Sequence, residues 1–214
     1  MQQKALRSAL AQRDGSARLE AALAAGTYPE PTQVEVLVER CAVEPDFQVR
    51  EMLTWALVRH DAAQVLPLVH AELGSSVSQA RSQALHTLSK IGDRASWAAL
   101  ESALLHDADD ETARAAWRAA VVLVPFGQER GLIDELAQEL GRGGPDVQRS
   151  LSRALVELGD GILPALAARA DHADPAVRAH ALATEGLLRD PESSFAGHLE
   201  DAKRAVIERD APLP

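Results

Sequence analysis

Residues 106–121, HDADDETARAAWRAAV, place His106 ahead of four acids within six positions, then turn into a helical run carrying Arg114, Trp117 and Arg118. Acids at that density could hold a cation, and the arginines or the tryptophan could hold a substrate. The alternation Asp107, Asp109, Glu111 opens like a calcium loop. Such a loop also needs glycine at its sixth place and a bidentate acid at its twelfth, and this chain has Thr112 and Arg118 there. Acids at the start of a helix, where the dipole favours negative charge, account for the run without an ion.

The remaining chemistry-bearing residues are scattered. Seven histidines (His60, His70, His86, His106, His172, His180 and His198) form no HxxxH pair, and none is followed by glutamate. No GxSxG, GxxxxGK[ST] or GxGxxG occurs, so nucleophile elbows, P-loops and dinucleotide turns have no support. Cys41 is the only cysteine, which excludes an intrachain disulfide, a CxxC pair and a thiolate zinc site. No catalytic residue, metal site or cofactor is therefore expected. With no apolar run long enough for a signal peptide or a membrane span, the sequence predicts a cytoplasmic protein. A net charge of −10, from 32 acids against 22 bases, disfavours nucleic acid unless the bases cluster.

The elements that must position these residues repeat. Five segments align: DFQVREMLTWALVRH from Asp46, SQARSQALHTLSKIG from Ser78, DETARAAWRAAVVLV from Asp110, PDVQRSLSRALVELG from Pro145 and DPAVRAHALATEGLL from Asp174. Each opens on a polar turn, then a small or apolar residue, then Arg50, Arg81, Arg114, Gln148 or Arg178. These anchors lie 31, 33, 34 and 30 residues apart. Apolar residues follow at helical spacing: Leu53, Ala56 and Leu57; Ala84, Leu88 and Ile91; Trp117, Ala120, Val121 and Val124; Leu151, Ala154, Leu155 and Leu158; Ala181, Leu182 and Leu188. Ahead of each lies another amphipathic helix: TQVEVLVERCA, AAQVLPLVHAEL, ASWAALESALL, RGLIDELAQEL and GILPALAARA. With 46% hydrophobic but only 3% aromatic residues, the core must be alanine, leucine and valine, which suits closely packed helices. Two more helices are expected near 2–13 and 16–25, and an amphipathic SSFAGHLEDAKRAVIER should cover the C-terminal end.

Paired helices at a period near 31, with Asp four residues before Arg in three repeats, resemble the HEAT-repeat family, most closely its short variety first described in phycobilisome lyases. The resemblance implies an all-α fold: an α-α superhelix, or HEAT-like solenoid, of about five repeats. It is expected as one domain over 1–214, with N-terminal helices in 1–31, repeats in 32–190, and a capping helix and tail in 191–214. It further implies that the second helix of each pair lines a concave face. Asp46, Asp110 and Asp174 would cap those helices, and Arg50, Arg81, Arg114 and Arg178 would form a ladder between repeats. Val77 stands where the second repeat lacks the acid, and Gln148 where the fourth lacks the arginine, so the glycine-rich turn 141–146 is expected to be the weakest coupling. The outward row five residues beyond each anchor reads Trp55, His86, Ala119, Arg153 and Ala183.

The family has no single function. Its deoxyhypusine hydroxylases bind di-iron through His-Glu pairs that this sequence lacks. Its alkylpurine DNA glycosylases use tryptophans and an aspartate on a basic face, and they supply the alternative reading, a DNA-binding or repair protein. A chaperone for a tetrapyrrole protein is also compatible with the resemblance. The primary expectation is a non-enzymatic scaffold or adaptor that binds a protein or peptide through Trp55, Arg59, His86, Lys90, Arg118 and Arg153.

Overall fold

The computed structural model describes residues 2–211; Met1 and the last three residues of the expected tail, 212–214, lie outside them. Regular structure among the described residues is entirely helical. The chain divides into two compact units. One runs to Leu104 and includes Glu111–Leu123; the other comprises Leu105–Asp110 and the chain from Val124 onward.

In the first unit α1 (Gln2–Leu10) pairs with α2 (Gly15–Thr27), α3 (Val34–Cys41) with α4 (Phe47–Arg59), and α5 (Ala62–Glu72) with α6 (Ser78–Ile91). The expected first helix of the third repeat is instead a 3-10 segment, Arg94–Ala99, followed by one turn, α7 (Ser102–Leu105). Ser96 is drawn inward to His70 of α5 (2.9 Å), and Leu100 is extended, which breaks the helix between the two pieces. Then comes α8 (Asp110–Leu123). The second unit holds α9 (Glu129–Leu136), α10 (Pro145–Glu157), α11 (Leu163–Arg169), α12 (Pro175–Arg189) and α13 (Phe195–Asp210).

The second helices α4 and α12 start the same way for the same reason. The turn before each leaves backbone carbonyls that neither flanking helix can satisfy. In α4, Asp46 accepts the N–H groups of Gln48 (2.8 Å) and Val49 (3.2 Å). Arg50 Nη1 reaches back to the carbonyls of Glu44 (3.0 Å) and Pro45 (2.9 Å). Arg178 does the same to His172 (2.7 Å) and Ala173 (3.0 Å), while Asp174 caps its helix; Arg81 bonds Ser75 O at 2.9 Å. These bonds tie each arginine to its own turn. Contact with the next element is an addition, as where Arg178 meets Asp210 of α13.

The same device opens α2, where sequence reading missed it. Asp14 caps the helix, and Arg18 bonds the carbonyls of Gln12 and Arg13, both at 3.0 Å. Arg18 also grips Glu44 with two bonds, at 2.9 and 2.8 Å, and Arg40 holds the same carboxylate at 2.8 and 2.6 Å. Glu44 is wholly buried, and the Asp46 N–H adds a further bond at 2.9 Å. Burial opposes its charge, but Arg18, the Asp46 amide and Arg40 outweigh that and hold the carboxyl below its usual range.

Two departures from the pattern are compensated. Arg114 pairs with Glu111, and its place on the turn is taken by Arg142, which bonds the Asp107 carbonyl, Asp110 (3.0 Å) and Glu139 (2.8 Å). Asp110 is the first residue of α8, with its carboxylate on that guanidinium. At the glycine-rich turn Gln148 donates to the carbonyls of Gly141 (3.4 Å) and Gly143 (3.2 Å). Buried His180 accepts the Gly141 N–H at 2.9 Å through Nδ1, so this turn is pinned from two sides.

The stripe of α12 is rotated from the expected one. Leu182 is exposed, and Ala179, Ala183 and Leu187 form the core with Phe195, Leu199, Ala202 and Val206 of α13. The capping helix covers the side of α12 that would otherwise face outward, which corrects the outward placement of Ala183. Ala119 of α8 is also fully buried.

Two predictions follow from this packing. Removing Glu44 leaves two arginines aimed at an empty site, so Glu44→Ala should cost about 3 kcal/mol or more in urea unfolding; a cost below about 1 kcal/mol would show that the arginines rehydrate without loss. The second concerns pH. Burial pushes His180 down to about 4, so its contribution is complete above the ordinary histidine value and is lost as pH falls toward 4. His106 is raised by its bonds to Glu135 (2.8 Å) and Glu139 (2.6 Å), so its contribution is complete below the ordinary value and is lost as pH rises through the raised one. The second unit should therefore be most stable near pH ~6.5. Hydrogen exchange of its amides between pH 5 and 9, corrected for intrinsic rates, should show this maximum, and His106→Gln should flatten only the alkaline side.

Candidate functional site

Positions one, five and nine beyond the anchor arginine share a helix face, because residues four apart stack on one side. On α4 these are Glu51, Trp55 and Arg59; on α6 they include His86 and Lys90. On α2 the equivalent residues include Leu23, which is 45% exposed. On α8 the three positions are Ala115, Ala119 and Leu123, all buried, and the helix presents Arg114, Arg118 and Val122 instead. The shift of one residue accompanies the release of Arg114 from its turn.

Trp55 is 40% exposed. One side of its ring lies on α2 at Gly26, where an added Cβ would come within 2.3 Å of the ring and 2.8 Å of the Ala56 Cα. Arg59 sits over the ring, with its Cζ 6.0 Å from the centroid, a cation–π arrangement. His86 is half-buried, with Nε2 3.1 Å from Glu51 Oε1 but not aligned as a hydrogen bond, so this buried nitrogen has an ionic neighbour and no bonding partner. Burial lowers the affinity of His86 for a proton; Glu51 opposes this, and Lys90 and Arg118 reinforce it. Arg118 is lowered by desolvation and then by Arg114. The result is a cationic island beside a half-open aromatic ring.

Of the six residues expected at the partner face, Trp55, Arg59, His86, Lys90 and Arg118 belong to the first unit. Arg153 belongs to the second, where it lines a groove of about 480 Å³ with Arg149, Val156, Pro191 and Phe195. The other two tryptophans are not equivalent: Trp117 is fully buried and Trp97 half-buried.

Two serine–histidine pairs lack the geometry of activated nucleophiles. His180 Nδ1 accepts the Gly141 N–H, so Nε2 carries the proton and donates to Gln148 O and Ser152 Oγ, both at 3.0 Å. Thr184 donates to His180 O (2.8 Å), which leaves the Ser152 hydroxyl donating to Thr184 Oγ1 at 2.7 Å. Ser193 donates to Asp190 O and receives from His198 Nε2 at 2.6 Å. In neither pair can the imidazole accept the serine proton. Among the described residues no group of three or more His, Cys, Asp or Glu is placed to hold a metal ion, and the acids of the opening stretch serve turns, as where Asp107 accepts the Asp109 N–H at 2.9 Å. No described helix is long and apolar enough to cross a membrane.

Because α2 and the tryptophan are in contact at Gly26, Gly26→Ala should overpack the junction and cost ~1–3 kcal/mol. It should also shift the Trp55 emission to the red as the ring is displaced. An unchanged melting temperature would mean that Trp55 does not rest on α2.

The family model of HEAT repeats matches residues 42–120. A search of the curated proteins found no match. Among solved structures, the crystal structure of an engineered protein from the Northeast Structural Genomics Consortium is 18% identical, with 96% of this chain and 99% of that chain covered and a TM-score of 0.48. The matched residues contain α4, α5, α6 and α7 and most of α8, and with them all five first-unit residues of the candidate face. The segment 42–120 is thus similar to HEAT repeats, and the first-unit residues of the face lie within it.

Proposed function

We propose that the protein is a non-enzymatic scaffold or adaptor that holds a protein or peptide partner against the exposed face of α4, α6 and α8. The observation that carries this reading is Trp55, an aromatic left partly open beneath Arg59, with Lys90 and Arg118 near His86 on the adjoining helices, in a chain of net charge −10. Such a ring is a typical interface anchor, and the surrounding cations steer a partner of opposite sign. HEAT repeats lend themselves to this use, since stacked repeats offer extended surfaces for protein binding. Arg153 is a candidate contact on the groove of the second unit. The DNA-repair alternative has less support: Trp117 is buried, Trp97 is half-buried, and the overall charge repels a phosphate backbone. The single cysteine is buried, with its thiol pushed up to about 12, and suits a reducing cytoplasm.

The test is capture of partners from native lysate by the wild type, Trp55→Ala and Arg153→Ala, with affinities for the captured partner measured at two salt concentrations. Trp55→Ala should weaken binding by about 2 kcal/mol or more. Arg153→Ala should mainly change the salt dependence. Arg118→Glu, at an exposed position, serves as a second disruption if Trp55→Ala perturbs folding. Folded Trp55→Ala and Arg118→Glu proteins that both bind normally would remove this face from consideration.

A further inference from the structure

The second unit contains an occupied version of the same face. On α12, positions one, five and nine beyond Arg178 are Ala179, Ala183 and Leu187, and a helix, α13, lies on them through Phe195, Leu199, Ala202 and Val206. This side of a second helix therefore accepts a helix packed along it. The equivalent side of α4 and α6 is open, and there it carries charge as well as apolar surface.

Three features of the open face define what would fit. Leu23 and Trp55 are apolar and partly exposed on neighbouring helices, which pack together through Gly26. Lys90 and Arg118 are exposed cations within electrostatic reach of His86, with Glu51 the acid beside that group and Glu111 also acting on Arg118. His86 Nε2 is buried 3.1 Å from Glu51 Oε1 without an aligned hydrogen bond, so its close counter-charge comes from the face itself. An anion placed there relieves the repulsion among the cations and favours the imidazolium form of His86.

We propose that the occupant is an amphipathic acidic helix of a partner protein, with apolar side chains on Leu23 and Trp55 and a carboxylate seated among His86, Lys90 and Arg118, and that His86 takes up a proton as it binds. This rests on the partner-binding reading of the face and names the chemistry of the partner. From α4 to α8 is two helix spacings of about 10 Å, so roughly 13 residues of helix span the site. The groups acting on His86 are Glu51 from α4, Lys90 from its own helix and Arg118 from α8. The other helices packed on α6 direct their charges elsewhere: Arg40 of α3 is on Glu44, Glu72 of α5 acts on Cys41, and His70 of α5 bonds Ser96. In the free protein, burial and the two cations keep His86 neutral near pH 7. A bound carboxylate favours the imidazolium, so affinity should rise as pH falls, until the peptide's own acids begin to protonate.

The probe is an 18-residue synthetic helix, about five turns, with leucines on one face and glutamates beside them. Controls replace every Glu by Gln, or every Leu by Ala. Titration calorimetry in two buffers of different ionisation enthalpy, from pH 7.5 to 5.5, reads both affinity and proton uptake. The acidic peptide should bind at least threefold tighter at pH 5.5 than at 7.5, with uptake of up to one proton. The Gln peptide should lose at least tenfold, and the Ala peptide should also weaken. His86→Gln should bind at the pH 7.5 level throughout, with no proton uptake. Equal binding of the Gln peptide, proton uptake retained in His86→Gln, or preference for a DNA duplex over the peptide would each overturn the proposal. If the acidic helix does not bind while partner capture still depends on Trp55, the proposal fails and the face remains an interface. If capture ignores both Trp55 and Arg118, the face itself is wrong.

Discussion

A short turn between two packed helices strands the carbonyls at the end of the first helix, and the fold depends on supplying donors to them. Side chains on a helix lean toward its N-terminus, so an arginine one turn into the second helix reaches back to the carbonyls five and six residues before it. A guanidinium has donors enough to bond two carbonyls and still hold an acid on the next element. Arg18 does all of this: it closes its own turn and grips buried Glu44, whose backbone carbonyl in turn accepts from Arg50 and from Gln79 (2.8 Å). The turn at Glu44 thereby joins α2, α3, α4 and α6 through polar bonds rather than through apolar area, which is why its carboxylate can be fully buried and charged.

That constraint also decides what was legible in the sequence. An arginine needed once per turn recurs at the repeat period, so the helix pairs and the anchor positions could be read from spacing, and the resemblance to HEAT repeats implied the caps of Asp46 and Asp174. The pair at the N-terminus was equally visible, since Asp14 and Arg18 repeat the Asp-x-x-x-Arg spacing 32 residues before Asp46 and Arg50. Beyond that spacing it stands out less, because small residues, Ala22, Ala25 and Gly26, form its buried stripe in place of leucines. What spacing could not show is which donor serves a turn when the anchor fails. Arg142 for Arg114, and His180 beside Gln148 at the glycine turn, come from outside the expected position and depend on packing. The expectation of a weak hinge there counted a missing arginine without counting its substitutes.

The facing of helices was less legible than their existence. Ala119 and Ala183 occupy the same place in the repeat as Trp55, yet both are buried. For Ala183 the reason is α13: a neighbouring helix, not the residue's own helix, decides whether the position is open. For α8 the reason is rotational. Once Arg114 pairs with Glu111, the helix presents Arg114 and Arg118 and turns Ala115, Ala119 and Leu123 inward. A pattern that repeats in sequence is therefore a reliable guide to what closes each turn, and a poor guide to what each helix shows to solvent.

This division of labour explains how one helix can serve both the fold and the candidate site. Its first turn is committed to the cap and the arginine, and its apolar stripe to the neighbouring helices. Positions one, five and nine beyond the anchor carry no such duty, and their composition varies most: apolar on α12 under α13, charged on α10, and mixed on α4 and α6. Around half-buried His86, Lys90 of α6 and Arg118 of α8 stand against Glu51 of α4. Lys90 and Arg118 both disfavour the charged form of His86, while Arg114 is paired with Glu111. An anion beside Lys90 and Arg118 would favour both cations and the imidazolium form of His86, which is the physical ground for the proposed acidic partner.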